Sequence, residues 1–204
     1  RTNALAGQYH AILTSADVPA RIIGGGSLFG TREVEVALCY CILSQHDAYN
    51  SVEKVMNYPK RYLSRQFVAD LRAARGAGDG TLFGALQHVK RNTRPAWKGK
   101  GIQRLHDDLA RLRRVPWAKV PDAVLKLLIK PSDYVPSEGD SPDEDRAALY
   151  EVAMGMARKF PNPAALYEFS VKCAAAEGKD KNQDKVNLST FHRVKGAEFR
   201  HVIA

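Results

Sequence analysis

The run Val36-Ala37-Leu38-Cys39-Tyr40-Cys41-Ile42-Leu43 constrains the fold more than any other feature of the sequence. Thr31 supplies an N-cap side chain ahead of it, so the run reads as the end of a long helix from about 31 to 43 that is apolar almost all round. Such a helix has to be covered on most sides, and the chain must wrap other elements about it. The run is far shorter than the roughly 18 to 20 apolar residues of a membrane-spanning helix. No membrane partner is expected, and a soluble cytoplasmic protein is. Of the 204 residues 45% are hydrophobic and 26% charged, enough for one large domain or two small ones. Cys39 and Cys41 lie in the apolar run, and with Cys173 they make an odd count that forms no disulfide framework. No second Cys/His pair sits near them, so they read as buried thiols of a reducing compartment, and no metal site is expected.

The rest of the chain divides by pattern. Leu5 to Leu13 reads as a helix, Ala20 to Ile23 as a short strand and Gly24-Gly25-Gly26 as a turn. From His46 onward the spacing is helical, with Asn50 and Glu53 resembling a capping box and Ser64 a cap for a helix through Arg72. Ile102, Leu105, Leu109 and Leu112 form an apolar stripe that turns Arg104 and Arg111 toward solvent. Ser141-Pro142 and Asn162-Pro163 each open another helix. Glu177 to Lys185 is a polar linker, Val186 to Phe191 alternates like a strand, and His201 to Ala204 reads as a second one. The two ends are expected to share one sheet, with residues 44–185 inserted as a helical subdomain.

Net charge is +9 and is concentrated. Between Lys90 and Lys119 ten basic residues face only Asp107 and Asp108, a density that suits a phosphate backbone as partner. Trp97 and Trp117 lie in the same segment and read either as core side chains or as platforms on which bases stack.

The final segment carries Thr190, His192, Lys195, Gly196, Glu198 and Phe199 in the register Thr-x-His-x-x-Lys-Gly-x-Glu-Phe between two strand-like stretches. This resembles motif V of UvrD/Rep-type superfamily I DNA helicases, with Ala197 in place of the family's usual Leu. The start is similar to the family's motif IV region: Arg1-Thr2-Asn3-Ala4 precedes a helix, and Pro19-Ala20-Arg21-Ile22-Ile23-Gly24-Gly25 a strand ending in paired glycines. Asn57-Tyr58-Pro59-Lys60-Arg61 resembles the Asn-x-Pro-x-Arg that opens the family's inserted subdomain. There the family continues Gly-Ile-Gly, whereas this chain has Tyr62-Leu63-Ser64.

The resemblance implies an α/β fold, a partial RecA-like, P-loop NTPase-type second motor domain made of residues 1–43 and 186–204. A large, mainly α-helical inserted subdomain of residues 44–185 interrupts it. It also implies an ATP-dependent DNA helicase (an ATP hydrolase of DNA repair or replication) that translocates on single-stranded DNA and unwinds duplex from 3′ to 5′. Gly196 and Glu198 would meet ATP, Glu198 through the ribose, since a carboxylate suits hydroxyl donors and repels phosphate. Arg1, Asn3, Thr190 and His192 would contact single-stranded DNA without reading its sequence. Lys195 would be either a phosphate contact or a structural lysine. Lys60, Arg61, Arg104 and Arg111 are the candidates for contact with duplex DNA.

Within these residues there is no Gly-x-x-x-x-Gly-Lys-Ser/Thr loop and no acidic metal-binding strand. The chain therefore reads as a monomeric fragment with no catalytic residue of its own, inactive in isolation. ATP and Mg would be bound mainly by a missing N-terminal motor domain, and the fragment itself is expected to hold no cofactor. The competing reading is a stand-alone basic module that docks on DNA or a protein and never meets ATP. A third is the helicase part of a recombination helicase–nuclease.

Overall fold

The structure, a computed structural model, describes residues 6, 9–10, 12–13, 16, 18–22, 31–76, 79–94, 96–129, 143–177, 185–189, 195–196, 198 and 201–202. Side chains at 22, 96–98, 143–146, 148 and 173–177 lie outside that description. The chain forms two compact units, residues 33–168 and residues 1–32 with 169–204.

The first unit is helical. It contains α1 (Arg32–Leu43), α2 (Tyr49–Val55), α3 (Arg65–Ala73), α4 (Leu82–Asn92), α5 (Ala96–Arg113), α6 (Val120–Ile129), α7 (Asp143–Ala157) and the start of α8 (Pro163–Glu177). Helix α1 begins directly after Thr31 and buries Val34, Val36, Ala37, Leu38, Tyr40, Cys41, Ile42 and Leu43, so its apolar circumference is covered as its sequence demands. The stripe Ile102, Leu105, Leu109 and Leu112 is buried, while Arg104 and Arg111 on the same helix are exposed.

Cap chemistry sets several helix starts. Thr81 accepts from the Gly84 amide at 3.1 Å, and Asp47 accepts from the Leu82 amide at 3.1 Å, so two of the free N–H groups opening α4 are satisfied. Asn162 accepts from the Ala165 amide at 2.9 Å, with Pro163 at the first helical position. Ser64 occupies the cap position of α3, but its hydroxyl makes no capping bond. Asn50 caps nothing: α2 starts at Tyr49 with Ala48 as its cap, which places Asn50 inside the first turn. Ser141 and Pro142 lie outside the described residues.

In the second unit, β1 (Ala20–Ile22) pairs in parallel with β2 (Val186–Leu188), matching Ala20 to Val186, Arg21 to Asn187 and Ile22 to Leu188. Arg21 Nε donates to Asn187 Oδ1 at 2.6 Å, and the Val186 amide donates to the Pro19 carbonyl at 2.8 Å. The two segments expected to share a sheet do so.

The expected α/β, partial RecA-like fold is nevertheless not what the described residues form. They are 69% helical, with only two short parallel strands. A parallel sheet of that class is buried on both faces beneath helices. Here each strand has three residues, and Val186 is 44% exposed with Asn187 exposed beside it. Alternation in the terminal segments is a real strand signal, but two such strands cannot make the central layer. Gly24 to Gly26 and the second expected strand, apart from exposed His201 and Val202, lie outside the described residues.

Burial holds ionisable groups of α1 in their neutral forms. The Tyr40 phenol is pushed up to about 12, chiefly by burial, and the Cys39 thiol to about 11 for the same reason. Cys41, in contact with Met154 at 3.8 Å between the sulfur atoms, is raised further still. Each native group therefore keeps its proton to higher pH than the unfolded chain, so stability falls as pH rises through the interval between the two values. For Tyr40 that interval runs from about pH 10 to about pH 12. Urea melts repeated from pH 8 to pH 11 are expected to show a midpoint that declines from about pH 9. A midpoint level across that range would contradict the placement of these groups in the core.

Candidate functional site

The turn from Asn57 to Ser64 is fixed from inside. Asn57 Oδ1 accepts from the Leu63 amide at 2.8 Å while its Nδ2 donates to the Leu63 carbonyl at 2.7 Å, clasping the loop across six residues. The Tyr58–Pro59 peptide is cis. Tyr62 adopts φ 57°, the left-handed conformation that favours glycine, and its side chain is the most exposed large aromatic among the described residues, at 68%. Lys60 Nζ stands 5.2 Å from the centre of the Tyr62 ring, within cation–π range.

Arg61 goes the opposite way. It is 5% exposed, and Nη1 donates to the carbonyls of Val55 (3.2 Å), Met56 (3.3 Å) and Pro59 (3.1 Å). Its Nη2 donates to the Tyr40 hydroxyl at 3.0 Å and pairs with Asp108 on α5. The Tyr40 hydroxyl in turn donates to the Tyr58 carbonyl. Burial alone would lower the Arg61 pKa, but Tyr40 and Asp108 outweigh it and the guanidinium is held charged. One side chain thus joins α1, the end of α2, the turn and α5. The turn lies so close to α5 that a Cβ on Gly101 would stand 2.5 Å from the Arg61 carbonyl oxygen, so only glycine fits there.

With its inner face fixed, α5 presents Lys100, Arg104, Arg111 and, just past its end, Arg114 to solvent at spacings of four, seven and three residues. At 1.5 Å per residue this basic stripe runs about 21 Å, the length of roughly six base-pair steps. Asp107 shares the face and is engaged by Gln103 at 2.5 Å and His106 at 3.1 Å. Arg111 contacts Asp108 at 2.9 Å, whereas Lys100 and Arg104 have no carboxylate within ion-pairing distance among the described residues. Arg113, on another side of the helix, is committed to Asp47 at 2.9 Å.

Of the candidate DNA contacts, Arg104 and Arg111 therefore share one exposed face, and Lys60 sits half-buried on the turn. Arg61 is inside, with its Nη groups turned to protein acceptors. Arg1, Asn3, Thr190 and His192 lie outside the described residues. Gly196 is exposed in a turn with φ 85°, next to exposed Lys195, and Glu198 is exposed two residues on. Trp117 Nε1 donates to the Phe160 carbonyl at 2.7 Å, which ties the indole into the helical unit; the Trp97 side chain lies outside the description. Among the described residues no group of three or more His, Cys, Asp or Glu side chains could hold a metal ion. No described helix is long and apolar enough to cross a membrane.

Tyr40, Gly101 and Asp108 carry weight that their sequence context did not reveal. Only the Asp108–Arg111 spacing was a usable signal, and it pointed to a surface pair rather than to a buried one.

Because Arg61 is buried and paired, Arg61→Ala is expected to destabilise the protein by about 3 to 5 kcal/mol, as removal of one partner of a buried pair does. Tyr62→Gly is expected to keep stability or raise it by up to about 1 kcal/mol, since it relieves a left-handed non-glycine residue. Chemical denaturation of the two variants checks both; a neutral Arg61→Ala would place that side chain at the surface. Neither known protein families nor curated proteins give a match for this chain.

Proposed function

We propose that the chain is the DNA-facing part of a UvrD/Rep-type, ATP-dependent DNA helicase, one that moves on single-stranded DNA and unwinds duplex. The observation that carries this reading is the conformation of the turn after Asn57-Tyr58-Pro59-Lys60-Arg61. Position 62 is where the resembling pattern has glycine, and Tyr62 has the positive φ that glycine adopts most readily. A chain that keeps a glycine conformation without the glycine has its turn specified by other residues, here Asn57 and Arg61. The positive φ of Gly196, the glycine of the Lys-Gly-x-Glu-Phe motif, supports the reading in the same way.

In this proposal the stripe on α5 lies along duplex phosphates, with Arg104 and Arg111 as contacts and Lys60 on the turn as a further one. Gly196 and Glu198 form one side of an ATP site, Glu198 accepting from ribose hydroxyls. Arg1, Asn3, Thr190 and His192 hold the single strand. ATP and Mg are bound mainly by a nucleotide-binding half that carries the phosphate loop, and the 204 residues alone hydrolyse no ATP. The uncommitted cations of α5 would serve a stand-alone DNA-docking module equally well, and a phosphate loop in the same polypeptide separates that reading from the first.

Charge reversal tests the DNA contact. Arg111 touches Asp108, so Lys100→Glu with Arg104→Glu is the cleaner pair. The double variant is expected to bind duplex more weakly and to flatten the log–log salt dependence by about 1.8, at about 0.9 for each phosphate no longer neutralised. Its stability should stay within about 0.5 kcal/mol for each exposed substitution. Affinity that is insensitive to salt, or unchanged by both reversals, would mean that α5 is only a solvated face.

A further inference from the structure

We infer that the groove beside Tyr62 seats a single unpaired nucleobase, stacked on the Tyr62 ring, with its flanking phosphates on Lys60 and Arg94. The inference rests on the nucleic-acid reading above and adds the chemical form of the ligand. A groove of about 680 Å³ begins at Tyr62 and runs between α3 and α4. Its apolar lining includes Phe67, Val89 and Ile102, while Asp70, His88 and Arg94 bring polar groups to it. That volume and mixture suit a nucleotide-sized ligand.

Three features point to a base. An exposed aromatic held in a left-handed conformation is costly and confers nothing on the core, which is the pattern of a residue presented for contact. Lys60 Nζ lies over one face of the Tyr62 ring, 5.2 Å from its centre, which leaves the other face to a base and sets a cation close to that base's phosphates. Arg94 is held at the end of α4 by the carbonyls of Arg91 (3.0 Å) and Thr93 (3.1 Å), and no carboxylate among the described residues pairs with it. The carboxylate in the groove lining, Asp70, is engaged by Gln66 at 2.8 Å. Lys60 at the ring and Arg94 in the groove lining are cations without a carboxylate partner among the described residues, and such a surface attracts a phosphodiester strand more than a peptide of mixed charge. Paired bases keep their faces inside the stack, so the occupant must be unpaired.

The test uses the full 204-residue chain and two oligonucleotides of equal length, one a blunt duplex and one with a single unpaired 2-aminopurine flanked by duplex. Binding is expected to quench the 2-aminopurine fluorescence for the parent protein and for Tyr62→Phe, and not for Tyr62→Gly, whose turn is preserved. Tyr62→Gly should lose at least about fivefold in affinity for the oligonucleotide with the unpaired base, the lower end of what stacking one base provides. Its affinity for blunt duplex should be unchanged. Salt-dependent duplex binding without quenching, or equal losses on both oligonucleotides, would overturn the base seat and leave the DNA reading standing. Binding to neither oligonucleotide at low salt overturns both, and competition by an acidic peptide in place of DNA would assign the groove to a protein partner.

Discussion

The helical unit depends on one buried guanidinium. Arg61 donates five hydrogen bonds that reach α1, the end of α2, the turn and α5, and each of these lies on a different stretch of chain. Burying a charge is expensive, and a pair such as Arg61–Asp108 roughly offsets that expense rather than adding a large surplus. Its value is geometric. A hydrophobic side chain in the same place would tolerate many rotations of α5 against α1, because apolar contact is non-directional. A planar fork aimed at a carboxylate, a phenol and three carbonyls permits few.

That geometry also decides what the surface offers. Asp108 points inward to Arg61 and sideways to Arg111, so the basic segment spends one of its two acids on a buried cation. The outer face of α5 is left with cations that have no internal counter-charge among the described residues, above all Lys100 and Arg104. Gly101 completes the arrangement by letting the turn lie against α5 at backbone distance. The groove beside Tyr62 and the stripe on α5 are thus consequences of the same packing, since Ile102, one residue on from Gly101, lines the groove.

Periodicity made part of this legible in advance. The buried stripe Ile102, Leu105, Leu109 and Leu112 follows from helical spacing alone, and the near-complete burial of α1 from its apolar circumference. The shared sheet of β1 and β2 was legible too, because strand-like stretches at both ends flank a helical insertion. What misled was extrapolating from two strand signals to a layered α/β fold. Local patterns report the conformation of a segment, whereas a sheet of that class requires several long strands buried on both faces, a property of the whole chain. Cap residues failed where a competing start existed: Asn50 has the right chemistry, but α2 had already begun at Tyr49.

The candidate site shows the same limit more sharply. Lys60 and Arg61 are adjacent, equally basic and equally plausible as phosphate contacts from sequence. In the turn, Tyr62 and Ser64 are exposed while Arg61 and Leu63 are buried, with Lys60 half-buried just before them. A one-residue shift of that alternation would expose Arg61 and bury an ammonium, which has no planar fork to satisfy three carbonyls and a carboxylate at once. The choice of arginine at 61, beside a lysine at 60, is therefore what orients the turn. Basic composition locates the segment, but only the partners available inside the fold determine which cation remains free to meet a ligand.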